Sequence, residues 1–420
     1  MNTSRKIFEK TAPYGIEYNP TTDTLARIGD PTSHRVLPVQ SQMKGVILDD
    51  LGNEVMELPS DDWTSIDRSG TLGQVMVRMP EFWAKFDVRP SGNLRIWINA
   101  NPITGFLHIP PRSYVSAYEA SLQRSTLKLC SVVNSTADYR GGNNQSAWDG
   151  TYRSQLGMPA TSISLTNFRT YARNRNNGDT RWNCNTYDVQ KWLFWLYAIE
   201  YATFDSQAAY NANLDANGFH QGGLGAGVTN WIDTKWNYYN GRYPIVPCGY
   251  TDELGNGTGV KSLAVKDAND STLVTVSVPR YRGIENPFGH IWKWTDGVLV
   301  NVVSGASGTS AVYACSRPSL FSSTSYSNYR SVGNELRSNS HVKEIHFGEY
   351  GDITAKTGGG STNTYFHDYH YTNTGSSSLR GLLFGGLTYN GAAAGLVCSN
   401  SLHVPSFTYS YVGSRLCFVA

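Results

Sequence analysis

The order of apolar and polar positions changes twice along the chain. Up to about residue 112, short apolar runs alternate with Gly, Pro, Asn and Asp. Val46-Ile47-Leu48, the run from Gly73 to Met79, and Leu94 to Ile98 read as strands, with turns at Gly52-Asn53 and Ser91-Gly92-Asn93. Pro110-Pro111 cannot continue a ladder and marks a boundary. Between Ser164 and Gly178 the period becomes helical: Phe168, Tyr171, Ala172 and Arg175 recur on one face, with Ser164 to cap the start and Gly178 to end it. A second helix follows, capped by Asn185 with Asp188 three residues on. Val189, Trp192, Leu193, Leu196, Tyr197 and Ile199 supply its broad apolar face. From about residue 217 the helical period disappears. Asn217-Gly218, the glycine-rich run at 222–227 and residues 255–259 read as surface loops, while Leu273 to Val278 alternates as a strand does. The pattern predicts an α+β fold: two helices followed by an irregular antiparallel sheet with long loops, preceded by a small β-rich region over 1–112.

Composition narrows the function. With 11 Trp, 26 Tyr and 15 Phe the chain fills a core, so it is not disordered. Charged residues are 16% of the chain, against roughly 25% in an ordinary soluble domain, so the surface is neutral and hydroxyl-rich. The 35 Lys and Arg against 33 Asp and Glu leave a net charge of +2, which makes no basic field for a phosphate backbone, and nucleic acid is not an expected partner. Arg5 and Lys6 are followed by no apolar run of the secretory kind. The most apolar segment, 192–202, contains Glu200 and falls short of the roughly 20 residues a span requires, so membrane insertion is not expected. The cysteines at 130, 184, 248, 315, 398 and 417 form no C-x-x-C and read as mostly reduced, buried thiols.

The last forty residues stand apart. From 381 to 420 there is no acid, and Arg415 is the one permanently charged side chain among many Tyr, Phe, Ser, Thr and Asn. Tyr with Ser, Gly and Asn is how binding loops gain contact area and adaptable hydrogen bonds at low entropy cost. The segment 396–412 also holds more hydroxyls than a core readily satisfies.

Three strings, NPFGHIWKW at 286–294, RGLLFGG at 380–386 and VGSRLCF at 412–418, resemble late landmarks of the C-type-lectin fold in its formylglycine-generating-enzyme-like form. SAYEAS at 116–121 and the helix running into YAIEYATFDSQ sit where that family has them. More narrowly, GGLTYNGAAAGLVCSNSLHVPSFTYSYVGSRLCF resembles the variable region of proteins diversified by retroelements, a group common among receptor-binding tail proteins of phages and prophages of gut bacteria. YGIEYNPTTDTLARIGD and GQVMVRMPEFWAKF resemble the opening of that phage group more loosely.

The resemblance implies a C-type-lectin-like domain over 113–420 with a variable region at about 381–414, and an N-terminal part that attaches or oligomerises. Gly385, Gly386, Asn390, Gly391, Gly395, Pro405, Gly413, Ser414 and Arg415 would be its fixed scaffold. The ligand-binding positions between them would be Leu387, Thr388, Tyr389, Val397, Cys398, Ser399, Ser401, His403, Ser406, Phe407, Tyr409 and Tyr411, aromatic anchors among hydroxyls. Leu387 and Cys398 depart from this pattern, which favours larger aromatic or polar side chains. The resemblance further implies a homotrimer on a virion tail, made in the host cytoplasm, whose partners are a bacterial cell-surface receptor, protein or glycan, and other virion tail proteins.

Chemistry is not expected, and neither a catalytic residue, a metal nor a cofactor is assigned. A formylglycine-generating oxidoreductase, the alternative within this fold, needs neighbouring cysteines for Cu(I), whereas Cys398 and Cys417 lie 19 residues apart. Glu285-Asn286-Pro287 reads as a turn into the Trp292 strand, because Trp294-Thr295-Asp296 does not complete a Ca²⁺ ligand set. His367-Asp368-Tyr369-His370 reads as a polar loop and Asp49-Asp50 and Asp61-Asp62 as solvated turns. Gly223 to Gly227 lacks the Lys-Ser/Thr of a phosphate loop, and no G-x-S-x-G elbow occurs. Trp292 and Trp294, at alternate strand positions, are expected to fill the core beneath the variable loops. A purely structural virion protein is the remaining alternative.

Overall fold

The helix Tyr187–Tyr201 is the centre of the structure, a computed structural model that describes residues 12–110, 113–236 and 241–420. The opening residues through Thr11, and Pro111 of the expected boundary, lie outside the described residues. Every side chain of this helix except that of Asp188 is buried, because the segment is apolar on all sides, the signature of an element enclosed by others. Its polar residues are matched inside: Gln190 Nε2 donates to the Leu396 carbonyl at 2.8 Å, and the Glu200 carboxylate accepts from Arg282 at 2.6 and 2.8 Å. The cap is Thr186, whose Oγ1 accepts from the Val189 amide, and not Asn185. Asn185 is buried and its amide is taken up by Gln190 and Thr295, at 3.2 and 2.9 Å.

The expected α+β arrangement of two helices and one irregular sheet is overturned. Helices do form at Leu165–Arg173, capped by Ser164, and at Tyr187–Tyr201, but strands dominate, gathered into five sheets among the described residues. Short hydroxyl-rich stretches such as Ser310–Ala314, Arg330–Asn334, Asp352–Gly358 and Tyr369–Tyr371 are strands. Their apolar alternation is too brief to be read locally; the first three are held by ladders to strands adjacent in sequence, and Tyr369–Tyr371 by ladders to Ser340–Phe347 and Gly395–Asn400.

Three of the sheets set the positions of the closing loops and of the central helix. A five-stranded sheet near the N-terminus, built on Tyr14–Asn19, Phe82–Val88 and Leu94–Asn99, sets Phe82 and Phe86 against Trp192 at 5.0 and 5.6 Å between ring centroids. A six-stranded sheet joins the last strand to the first third of the chain: Leu416–Val419 pairs with Ser113–Ser116, which pairs with Gln74–Arg78. That ladder crosses the boundary expected near residue 112. In the largest sheet Trp292–Val302 pairs with Ser378–Gly385, which pairs with Gly395–Asn400, flanked in turn by Tyr369–Tyr371. This sheet curls until its ends approach: the Leu336 amide donates to the Ala355 carbonyl at 3.0 Å, and Arg330 grips Asp352 with two contacts of 2.7 Å.

The glycine-rich run is packed and not a surface insert. A Cβ at Gly223 would meet the Ala208 carbonyl oxygen at 2.8 Å, and one at Gly227 the Phe288 ring at 2.8 Å, so the missing side chains let backbone lie against core. Trp292 and Trp294 are buried as expected, beneath the closing loops. All six cysteines are buried and unbridged.

Candidate ligand-binding face

Two loops leave the large sheet on one side. The first begins at Gly385 and Gly386, whose φ angles of 99° and 79° turn the chain out of its strand. Asn390 holds it: Oδ1 accepts from the Leu387 amide at 2.8 Å and Nδ2 donates to the Tyr371 hydroxyl at 2.9 Å. Leu387 and Thr388 thereby face inward, with the Thr388 amide bonded to the His290 carbonyl at 3.1 Å, while Tyr389 emerges.

The second loop, 401–411, is held through its own carbonyls. Arg380 Nη1 donates to Leu402 at 2.6 Å, the Gly381 amide to His403 at 3.0 Å, the Leu165 amide to Pro405 at 3.0 Å, the Ser162 amide to Tyr409 at 3.0 Å and the Trp292 amide to Tyr411 at 2.9 Å. The framework thus grips the backbone, and apart from the buried Ser401 and Pro405 the loop's side chains reach the surface at least in part. From Ser406 to Tyr411 hydroxyl and aromatic residues alternate, and successive ring contacts bring Phe407, Tyr409 and Tyr411 together.

Those rings form a ridge. His403 lies face to face with Phe407, centroids 3.6 Å apart and planes 6° from parallel. Phe407 follows Tyr409 at 6.0 Å and 7°, Tyr409 touches Tyr411 at 4.4 Å, and Tyr411 meets Tyr389 edge-on at 6.4 Å. Tyr389 and Tyr409 are 38% and 42% exposed. Arg242 lies over the Tyr389 ring at 5.9 Å and buried Trp236 packs beside it at 6.3 Å.

No family model matches the chain, and no curated protein does. Among solved structures it is similar to the Major Tropism Determinant U1 variant, at 10% identity over 90% of this chain and 81% of that chain, with a TM-score of 0.24. At this TM-score the likeness fixes neither fold nor function.

The twelve expected site residues divide. Tyr389, His403, Ser406, Phe407, Tyr409 and Tyr411 reach the surface; Leu387, Thr388, Val397, Cys398, Ser399 and Ser401 do not, and their expected place on the face is corrected. For Val397, Cys398 and Ser399 the reason is the strand Gly395–Asn400, which has neighbours on both edges and core on its faces; Ser401 directly follows it, and Leu387 and Thr388 are turned inward in the first loop. Its polar side chains are satisfied within. Ser399 Oγ bonds His370 Nδ1 at 2.9 Å, Ser401 Oγ donates to Glu335 at 2.5 Å, and the Val397 and Cys398 amides donate to Asp368 at 2.7 and 2.9 Å. Burial raises the Asp368 carboxyl well above the ordinary range. His370 and Asp368 thus belong to this interior, with Tyr369–Tyr371 a strand and not a polar loop. Ser399, His370 and Glu335 superficially follow one another as a nucleophile relay would, yet His370 Nε2 stands 3.7 Å from Glu335 and all three are buried, closed to a substrate.

The expected scaffold residues have clear structural work. A Cβ at Gly395 would stand 2.0 Å from Asp368 Oδ1. Arg415, fully enclosed, donates to the carbonyls of Ser116, Glu285 and Asn286, and Ser414 Oγ donates to the Trp294 carbonyl at 2.7 Å. A buried charge cluster ties the Trp292 strand and the turn before it to Glu119 and to the Ile245 backbone. Glu119 accepts from His290 Nδ1 at 2.6 Å and Lys293 Nζ lies 2.9 Å away, while His290 Nε2 accepts from the Ile245 amide at 2.9 Å. Burial alone would raise the Glu119 carboxyl, but Lys293 and the hydrogen-bonded His290 hold it down at about 2.

The ridge itself carries no charge near neutral pH. Desolvation, helped by Arg380, pushes the His403 imidazole down to about 4, and burial with its tyrosine neighbours raises the Tyr411 hydroxyl to about 12. Arg242 and Arg380 are the residues that the sequence pattern did not single out. Arg380 opens the RGLLFGG string, the one local signal that could have drawn attention to it. Elsewhere, a cavity of about 300 Å³ lined by Phe82, Leu107, Ile109, Trp192, Phe321 and Val419 shares no residue with the ridge. No group of His, Cys, Asp and Glu able to hold a metal occurs among the described residues, and no described helix is long and apolar enough to cross a membrane.

Proposed function

We propose that the chain is a non-enzymatic receptor-binding protein of a phage or prophage tail, and that the ridge His403–Phe407–Tyr409–Tyr411–Tyr389 is its contact surface. The observation that carries this reading is a contiguous, partly exposed row of rings on a loop whose backbone is gripped by the framework. Such pre-organised aromatics cost little entropy on binding and are the side chains that dominate interface energies. Backbone anchoring supports the diversification implied by the sequence resemblance, since exposed side chains there change without disturbing the bonds that hold the loop. Tail attachment, trimeric state and retroelement diversification rest on that resemblance. The non-enzymatic reading is supported by the thiols: Cys398 and Cys417 are both fully buried, and burial pushes the Cys417 thiol up to about 12, away from the thiolate needed to bind copper or attack a substrate.

The test is simultaneous replacement of Tyr389, Phe407, Tyr409 and Tyr411 by Ser. The expected result is an unchanged circular-dichroism spectrum and assembly state with adhesion to host cells weakened by on the order of 100-fold or more. Failure of assembly with adhesion retained would instead make the ridge an ordinary interface of a structural virion protein. Sequencing the surrounding DNA checks diversification: a neighbouring reverse transcriptase and an imperfect copy of the 3′ end, differing at adenines, are expected.

A further inference from the structure

We propose that the cavity away from the ridge, lined by Phe82, Leu107, Ile109, Trp192, Phe321 and Val419, is a second binding site, and that it takes a small uncharged aromatic molecule whose hydroxyl donates to Asp188. It forms where four parts of the fold meet. Phe82 and Ile109 are register partners in the N-terminal sheet, Trp192 comes from the central helix, Val419 from the last strand, and Phe321 from the connection between Ser310–Ala314 and Arg330–Asn334. The lining residues Leu107 and Tyr350 are exposed and mark its mouth, whereas Phe82, Val189 and Trp192 are buried and form its deep wall. Its volume of about 300 Å³ far exceeds the roughly 10–15 Å³ that one water needs, and apolar cavities of about 150 Å³ take up benzene. Apolar walls with a few placed polar groups are the make-up of a ligand pocket.

Those polar groups decide the class of ligand. Lys191 is buried, with its ammonium 3.0 Å from Asp188 and 5.3 Å over the Trp192 ring. His108, exposed on the outer strand, is bonded to Glu81 at 3.0 Å. A second cation beside Asp188 would be repelled by Lys191, and an anion would face the Asp188 carboxylate with the nearest cation already paired. Either ion would leave water without gaining a counter-charge. An uncharged molecule meets no such barrier. Asp188 is also the one side chain of the central helix that is not buried, and 34% of it remains accessible while it accepts from Lys191 and Ser316. A carboxylate has about four lone-pair sites, so acceptor capacity is left for a ligand hydroxyl. Phe82 and Trp192, edge-on at 5.0 Å, offer a flat ring both faces and edges to pack against.

The test is equilibrium dialysis of the full-length protein at neutral pH against 2-naphthol, followed by the probe's own fluorescence. Saturable uptake of one molecule per chain is expected. Naphthalene, which lacks the donor, is expected to bind on the order of tenfold more weakly, and 2-naphthoate and 2-naphthylmethylammonium at least as weakly as naphthalene. Leu107→Trp, which narrows the mouth from an exposed position, is expected to weaken 2-naphthol on the order of tenfold with the circular-dichroism spectrum unchanged. Asp188→Asn is expected to cut the preference for 2-naphthol over naphthalene by about threefold or more, because a neutral acceptor makes the weaker hydrogen bond. Uptake that does not saturate, or that is the same in wild type and Leu107→Trp, would overturn the site. Tighter binding of either ion than of 2-naphthol would overturn the uncharged class, and equal binding of naphthalene and 2-naphthol to the wild type would overturn the part given to Asp188. The series of probes on the wild type decides the class without any variant. Because the cavity shares no residue with the ridge, each of these failures leaves the receptor-binding reading standing.

Discussion

At the scale of single residues, neighbouring positions of one closing segment have opposite fates. Tyr409 is 42% exposed, whereas Ser401, eight residues earlier, is fully enclosed with its hydroxyl on Glu335. His403 sits between these extremes and is the residue whose environment is most open to measurement. Its imidazole is lowered from 6.5 to about 4 by desolvation first and Arg380 second. Between these two values the unfolded chain takes up the proton and the folded chain does not, so this group's contribution to stability falls as pH drops from 6.5 toward 4. NMR titration of the His403 ring is expected to find a midpoint near 4, and denaturation at pH 7 and 5 a lower stability at 5 that His403→Gln reduces. A midpoint above 6 would mean that the ring is solvated and the ridge looser than described.

At the scale of elements, the loop 401–411 and the strand Gly395–Asn400 are adjacent in sequence but answer to different constraints. From Ser406 to Tyr411 the loop is tied down through carbonyls, so its side chains are replaceable; the strand is packed on both faces, so its side chains are not. Cys398→Tyr should therefore destabilise the fold by about 1–3 kcal/mol through overpacking, while Tyr409→Ser should stay within about 0.5 kcal/mol of wild type. Urea denaturation of the two variants checks this, and equal effects would erase the distinction between loop and strand. Element boundaries are partly legible in the sequence. Ser164 caps its helix as its position predicts, and Leu94–Asn99 and Thr272–Tyr281 are strands where alternation places them. Asn185 has the sequence pattern of a cap but does not act as one; its amide is drawn away by Thr295, a residue 110 positions distant. Gly222 to Gly227 reads as a surface loop for the usual reason that glycine favours turns, whereas here glycine is required by Phe288 and the Ala208 carbonyl pressing on the backbone.

At the scale of the whole molecule, the near-balance of 35 basic and 33 acidic residues is accompanied by an uncharged row of rings, the surface proposed for contact. Adhesion should thus depend weakly on ionic strength, changing by less than about threefold between low and physiological salt, because the ridge offers no charge to be screened. Surface-plasmon or cell-adhesion measurements across that range test it, and a collapse at moderate salt would count against the neutral ridge. The architecture shows why the α+β expectation failed. Two strong helical periods are conspicuous in the sequence, but many of the strands are short and some ladder partners are remote: Leu416–Val419 meets Ser113–Ser116, and Tyr369–Tyr371 runs parallel to Gly395–Asn400.

What the chain determined by itself was local and chemical: the apolar character of Tyr187–Tyr201, the absence of acid from 381–420, and the concentration of hydroxyl and aromatic residues over 406–411. Which half of the closing region meets solvent was decided by tertiary structure alone. A serine is equally at home on a surface or bonded to a buried histidine, and only the arrival of Tyr369–Tyr371 and Glu335 from elsewhere in the sequence supplies the partners that draw Ser399 and Ser401 inside.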